Sequence, residues 1–279
     1  MYQQPNNRLQ KQTCIVTGAN SGIGRAVAVA MARDGANVVV NYVFGDEAAQ
    51  QVVDEIKQAG GTAIAIKADV SKEDQVIAMF QETVATFGTI DILVNNAGIS
   101  QRSLALDTDF EVYRRIMEVD FFAPLRLSQL VLPAMVKRQS GALVNIASVA
   151  GKVGTPLRTG YCAAKHALVG WSDALRAEIS QYGVSVFVVT PGFVATHISD
   201  NALTGDGSVK GHDATDPVNQ GMSAEEAATI IIDGMLANQP EIAVGRPGAP
   251  ELALLEFKRY NPEPLYQIMA KMAPKVARE

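Results

Sequence analysis

The sequence predicts an α/β chain built on one doubly wound parallel sheet of about seven strands, with helices on both faces. Three observations carry this. Short β-branched runs alternate with longer stretches of helical periodicity. The runs are apolar at successive positions, so each strand buries both faces, as parallel strands do. The stretches between them are long enough for helical crossovers, which are right-handed almost without exception.

Each element follows in turn. Thr13 to Val16 reads as a buried strand that breaks into a glycine-rich turn. Gly22 to Arg33 has helical spacing and stops at Asp34-Gly35. Val38 to Val40 is a second strand, and Asp46 to Ala59 a helix ended by Gly60-Gly61. Ala63 to Lys67 is a third strand; Ser71 is expected to cap the next helix, with Asp74 three residues on. Ile90 to Val94 is a fourth strand, and Asp107 to Arg138 one long helix or two joined ones. Ala142 to Ile146, Val184 to Val189 and Ile242 to Val244 complete the strands, with helices at Gly160 to Gln181 and Ala224 to Leu236 between them. Residues 193–222 break the alternation and read as a disordered loop or, preferably, a lid, because loops this long in compact domains are functional or disordered. The tail, with amphipathic stretches at Leu252 to Tyr260 and Leu265 to Met272, is open between a cap on the core, a cover on the ligand cleft, a subunit contact and a weak membrane contact through Lys258, Arg259, Lys271, Lys275 and Arg278.

Composition narrows the function classes. Lys and Arg total 24 against 29 Asp and Glu, a net charge of −5, which lacks the broad basic field that duplex nucleic acid needs. Two cysteines, Cys14 and Cys162, make neither a disulfide framework nor a zinc site, and the three histidines have no metal-ligand spacing. No run of about 18 apolar residues stands out as a membrane span. The polar start, MYQQPNNRLQKQ, has no apolar signal core, so a reducing cytoplasm is the expected compartment.

Thr17-Gly18-Ala19-Asn20-Ser21-Gly22-Ile23-Gly24 lies between the first strand and the first helix. Glycines alone can be merely a turn. In strand–turn–helix context they cradle the pyrophosphate of a dinucleotide, which the unpaired N–H groups of the helix attract. No Lys-Ser/Thr pair follows, which disfavours a Walker-type loop. The second strand ends in Asn41-Tyr42-Val43, with no carboxylate to repel a 2′-phosphate and no cation beside it to pair with one. We therefore expect NADP(H) to be preferred, with NAD(H) possible.

Tyr161 and Lys165 are four apart on a helix and share a face. A phenol of ordinary pKa, about 10, costs about 4 kcal/mol to ionise at pH 7. A neighbouring ammonium is expected to lower that value and make Tyr161 an acid/base near neutrality. Ser148, just past the fifth strand, can hold the substrate oxygen. Without the glycine turn, the Tyr–Lys pair would read as a surface tyrosine lying along a lysine stem.

Taken together, Thr17-Gly18 with Gly22-x-Gly24, Asp69-Val70, Asn95-Asn96-Ala97-Gly98, Ser148, Tyr161-x-x-x-Lys165 and Pro191-Gly192 resemble the short-chain dehydrogenase/reductase family in order and spacing. The resemblance implies a single Rossmann-like domain over residues 1–246, with 247–279 packed on it, and hydride exchange between a nicotinamide and a carbonyl or secondary alcohol. It implies Ser148, Tyr161 and Lys165 as catalytic residues. It implies that Gly18, Asn20, Ser21, Gly22, Ile23 and Gly24 form the cofactor turn, Gly18 permitting the tight bend, Gly22 the approach of phosphate and Gly24 the close packing of helix on sheet, with Asn41 near the ribose and Asp69 and Val70 at the adenine. Asn95 would steady the central strands, with Ala97 and Gly98 against the cofactor. Tyr161 and Lys165 would meet the nicotinamide ribose, and Pro191, Gly192, Val194 and Thr196 the nicotinamide. The family places an Asn of a proton relay where this chain has Asp120; either the relay works with Asp120 or it runs differently. The first hundred residues are similar to glucose dehydrogenases and acyl-carrier-protein ketoreductases, the tail to hydroxysteroid- and lipid-type reductases. A homodimer or homotetramer is implied.

Leu104, Leu106, Val153, Leu157, Phe193 and Ile198 are the expected pocket lining and favour an apolar ketone over a sugar. The alternatives are a sugar dehydrogenase, an NADP(H)-holding sensor without turnover, and an epimerase or dehydratase. Cys162, Cys14 and His166 are expected to pack, His197 to lie in the lid region, with contact to substrate the lesser reading, and Trp171 to be core or a subunit face.

Overall fold

A computed structural model describes residues 7–274. The residues 1–6 of the polar start, and Lys275 and Arg278 of the tail, lie outside the described residues. Seven strands form one parallel sheet: β1 (Thr13–Val16), β2 (Asn37–Tyr42), β3 (Thr62–Lys67), β4 (Ile92–Asn95), β5 (Gly141–Ile146), β6 (Val184–Pro191) and β7 (Glu241–Val244), in the order β3-β2-β1-β4-β5-β6-β7. The chain reverses its winding between β1 and β4, which pair through Cys14 with Ile92 and Val16 with Val94. The crevice at that reversal is where a doubly wound sheet binds ligands.

Alternation along the strands supplies two cores. Cys14 and Val16 point to the face covered by α1 (Gly22–Arg33), α2 (Asp46–Gln58) and α7 (Ala224–Leu236). Ile15, Val39, Leu93 and Leu143 point to the face covered by α3 (Glu73–Phe87), α5 (Ala123–Arg138) and α6 (Thr159–Ile179). Cys14 is completely buried, and Trp171 packs half-buried against the second core.

The helical stretch after β4 is two helices. α4 (Phe110–Met117) joins α5 through a π-helical turn at Glu118–Phe122, in which the Ala123 N–H donates to Glu118 O. Pro124 explains it: a proline has no N–H for the Asp120 carbonyl, and its ring crowds that carbonyl, so the helix widens by one residue. Phe110–Arg138 as a whole is long and apolar enough to cross a membrane by length and composition, although charged residues interrupt its apolar runs. In the structure Ala123, Leu127, Val131 and Met135 of this segment are buried in the second core.

The expected Ser71 cap is not formed. α3 begins at Glu73 after Lys72, and the Ser71 hydroxyl and N–H both donate to Asp69 Oδ1, at 2.7 and 2.9 Å. The tail forms α8 (Pro250–Tyr260) and α9 (Pro262–Met272), which pack Leu265 and Met269 on Val149 and Val153.

Candidate active site

One cleft of about 1480 Å³ runs along the carboxyl ends of the strands. At its first end lies the glycine turn. Ser21 precedes α1 in extended backbone and its side chain caps no amide, so the N–H groups of the first turn remain open to an anion. A Cβ on Gly24 would sit 2.4 Å from both Gly18 O and Asn96 Nδ2. That close contact holds the helix against the turn. The Thr17 hydroxyl accepts from the N–H groups of Asn96 and Ala97, and Asn96 Nδ2 donates to Thr17 O at 2.8 Å. This clasp ties the turn to the end of β4.

Gly18, Asn20, Ser21, Gly22 and Ile23 line the cleft, as do Asn41, Asp69, Val70, Ala97 and Gly98. Asn41 is buried and spends its amide hydrogens on Ile66 O and Ala68 O. Asp69 has its backbone N–H on Gln75 and its carboxylate on Ser71. Gly24 and Asn95, grouped with the cofactor residues by the resemblance, do not line the cleft and instead pack and steady it, as the sequence reading of each allows. Gly24 lies beneath the turn; Asn95 donates to Asn145 Oδ1 at 2.8 Å between the central strands. This set can hold an extended nucleotide, with phosphates at α1 and the adenine end over Asp69 and Val70.

The other end gathers the reactive side chains. β5 leads into Ser148, which lines the cleft and whose Oγ accepts from Ala150 N at 3.1 Å. α6 brings Tyr161 and Lys165 to the same wall, with the Lys165 ammonium 5.7 Å from the centre of the phenol ring. Lys165 Nζ donates to Ile146 O at 3.0 Å and lies 3.2 Å from Asp120 Oδ2. Asp120 Oδ1 accepts from Ile99 N at 2.8 Å. Asp120 is fully buried behind Lys165 and does not line the cleft, so it is not a contact residue of the reacting atoms.

The electrostatics depart from expectation. Burial pushes the Tyr161 phenol up; Lys165 and a Ser148 hydrogen bond pull it down, Asp120 pushes it up again, and the result is above the ordinary value. The expected depression of Tyr161 by Lys165 is thus outweighed. Burial opposes the Lys165 ammonium, but Asp120 and the phenol more than reverse this and raise it. Burial raises the Asp120 carboxyl against the pull of Lys165.

The wall opposite is built by residues 193–222 and the tail. Residues 193–222 are ordered, not a loose loop. Short bridges pair Val194 with Met222 and Leu203 with Gln101 and Val209. Beneath them Arg102 donates to Asp216 at 2.9 Å, and the Ser199 hydroxyl donates to the same carboxylate. Pro191, Gly192, Val194 and Thr196 line the cleft, with Leu157, Phe193, Ile198 and His197. His197 leans on Asp200 at 3.4 Å. Leu104, Leu106 and Val153 do not line it: Leu106 is 80% exposed, and Val153 is sealed under α9. Their places are taken by Leu254, Ile268, Met269 and Met272 of the tail. Glu251 of α8 reaches Phe193 N at 3.2 Å. The amphipathic spacing of the tail was the signal for this wall, but nothing in it says which face of the sheet it covers. Cys162 packs by Thr155, and His166 Nδ1 is 2.8 Å from Cys162 O.

The family model described as short chain dehydrogenase matches residues 12–206. The mouse dehydrogenase/reductase SDR family member 7B is 34% identical over 271 residues, covering 96% of this chain and 83% of the relative. The 3-oxoacyl-(acyl-carrier-protein) reductase of Synechocystis sp. is 40% identical over 193 residues, 69% of this chain and 78% of the relative. A metagenomic short-chain oxidoreductase crystallised with NADP superimposes with a TM-score of 0.70 at 28% identity, covering 85% of this chain and 98% of that one.

Proposed function

The chain belongs to the short-chain dehydrogenase/reductase family and is an NAD(P)-dependent oxidoreductase of CH–OH groups, and from that premise we propose that it reduces an apolar ketone with NADP(H) preferred, Tyr161 serving as the acid. The observation that carries this is the convergence of Ser148, Tyr161 and Lys165 on one wall of the cleft that begins at the uncapped helix α1. The reduced nicotinamide supplies the hydride when bound. Ser148 donates to the carbonyl oxygen and orients it. Tyr161 gives its phenolic proton to that oxygen as the alkoxide develops, and the phenolate left behind is stabilised by Lys165.

The NADP(H) preference rests on the end of β2, where Asn41 stands in place of a carboxylate, and on Lys72, which lines the cleft from the start of α3. The apolar substrate rests on Leu157, Phe193, Ile198, Leu254 and Met269. We place the protein in the cytoplasm as a homodimer or homotetramer, to be checked by fractionation and by light scattering.

The test is oxidation of NADPH, followed by its near-ultraviolet absorbance, with a panel of ketones and sugars. Tyr161→Phe lowers turnover by roughly 10²–10⁴-fold with NADPH affinity retained. Unchanged turnover in that variant overturns the reading. Tight NADPH binding with no carbonyl reduced would favour the sensor.

A further inference from the structure

We propose that Asp120 is a positioning residue that keeps the active-site phenol protonated, by neutralising the lysine behind it, and so stocks the site with the acid for carbonyl reduction while withholding the base for alcohol oxidation. The proposal rests on the reading of Tyr161 as proton donor.

The geometry begins with the backbone. Pro124 forces the π-turn at Glu118–Phe122, and the turn aims Asp120 inward, where it has no exposed surface. Its carboxylate is wedged under the β4–α4 connection: Oδ1 takes the Ile99 N–H, and a Cβ on Gly98 would stand 3.2 Å from Oδ2 and 3.4 Å from Lys165 Nζ. Oδ2 lies 3.2 Å from that ammonium, within ion-pair distance. Whether the pair is ammonium with carboxylate or amine with acid, its net charge is zero. Lys165 therefore does not present an uncompensated positive charge to Tyr161. An amide at 120 would leave that charge intact.

The other ionisable groups around the phenol do not replace Asp120. Cys162 on the same helix also raises the phenol and Ser148 lowers it, both by less than Asp120 does. Elsewhere in the cleft Arg102 is held by Asp216, Glu118 by Arg126, and Glu251 by the Phe193 N–H. Arg158 and His197 line the cleft from the N-cap of α6 and from the lid.

In reduction, the Tyr161 O–H bond breaks, its proton joins the carbonyl oxygen, and the hydride forms the new C–H bond. The phenolate is then reprotonated from solvent. Oxidation runs these transfers backwards and needs the phenolate at the outset. Removing the Asp120 charge favours that phenolate.

The experiment is Asp120→Asn, with two readouts. Ultraviolet difference titration of cofactor-free protein, wild type minus Tyr161→Phe and Asp120→Asn minus the double variant, isolates this one phenol. Its ionisation falls by roughly one to three pH units in Asp120→Asn. The pH profile of alcohol oxidation moves down by the same amount, about tenfold in rate per unit below the limb. Asp120→Ala, which deletes the carboxyl without an amide, repeats the test should the first variant not fold, as judged by circular dichroism. A phenol ionisation unmoved by either substitution overturns the proposal. Should Tyr161→Phe retain turnover, the functional reading fails instead, and the titration still reports whether Asp120 acts on the phenol.

Discussion

Replacing Arg102 by Leu is expected to loosen the lid without unfolding the sheet. Arg102 and Asp216 are 12% and 5% exposed in their side chains, 2.9 Å apart, and join the β4–α4 connection to residues 193–222. Stranding one member of a buried ion pair costs about 3–5 kcal/mol. Here the lower figure applies, because Lys210 lies 3.3 Å from the same carboxylate and the Ser199 hydroxyl and Val218 N–H still donate to it. About 3 kcal/mol raises the open fraction of the lid roughly a hundredfold. Hydrogen exchange of residues 193–222 should accelerate accordingly, while Leu93 and Val94 in β4 keep their protection. The effect carries a pH signature. Burial would raise Asp216, but hydrogen bonds from Ser199, Arg102 and Val218 hold it far below the ordinary carboxylate range. Its folded value is depressed, so its contribution is present above the unfolded value of about 4 and is lost as acid approaches the folded one. Arg102→Leu brings the folded value back up, so the lid loosens at higher pH than in the wild type. Adding Asp216→Asn removes the stranded charge and restores most of the protection. Lid exchange unchanged in Arg102→Leu would refute this reasoning.

Two further outcomes are expected. Gly24→Ala forces a Cβ to within 2.4 Å of Gly18 O, a backbone atom that cannot rotate away, and costs about 1–3 kcal/mol of stability together with NADPH affinity; thermal melts with and without NADPH measure both. Leu265→Ala removes a side chain only 1% exposed and costs about 2–5 kcal/mol of tail docking, read as proteolysis within 250–272 and a raised KM for apolar ketones with NADPH affinity unchanged.

The parts of the site that could be read before the fold was known are those whose chemistry is local. Gly18, Gly22 and Gly24 announce a turn wherever they stand between a strand and a helix, and Tyr161 and Lys165 share a face because a helix repeats every 3.6 residues. Parallel order followed from strands apolar on both faces. What escaped depends on distant partners. Ser71 has the composition of a helix cap, but Asp69, two residues back, claims its hydroxyl. Leu106 and Val153 are apolar residues beside the cleft in sequence, yet one faces outward and the other lies under α9. Lys165 was legible as a neighbour of Tyr161 but Asp120, 45 positions earlier, sets how much of its charge the phenol feels. Arg102, which pairs with Asp216 of the 193–222 segment, carries no motif at all.

The tail has a bearing on the order in which this protein is made. A nascent chain that has emerged through Val244 already holds all seven strands, the glycine turn and the Tyr161–Lys165 helix. It still lacks the helices that cover Val149 and Val153 and the carboxylate that meets Phe193. Nucleotide pocket and chemical groups are thus synthesised before α8 and α9, the helices that close the wall of the cleft opposite Tyr161.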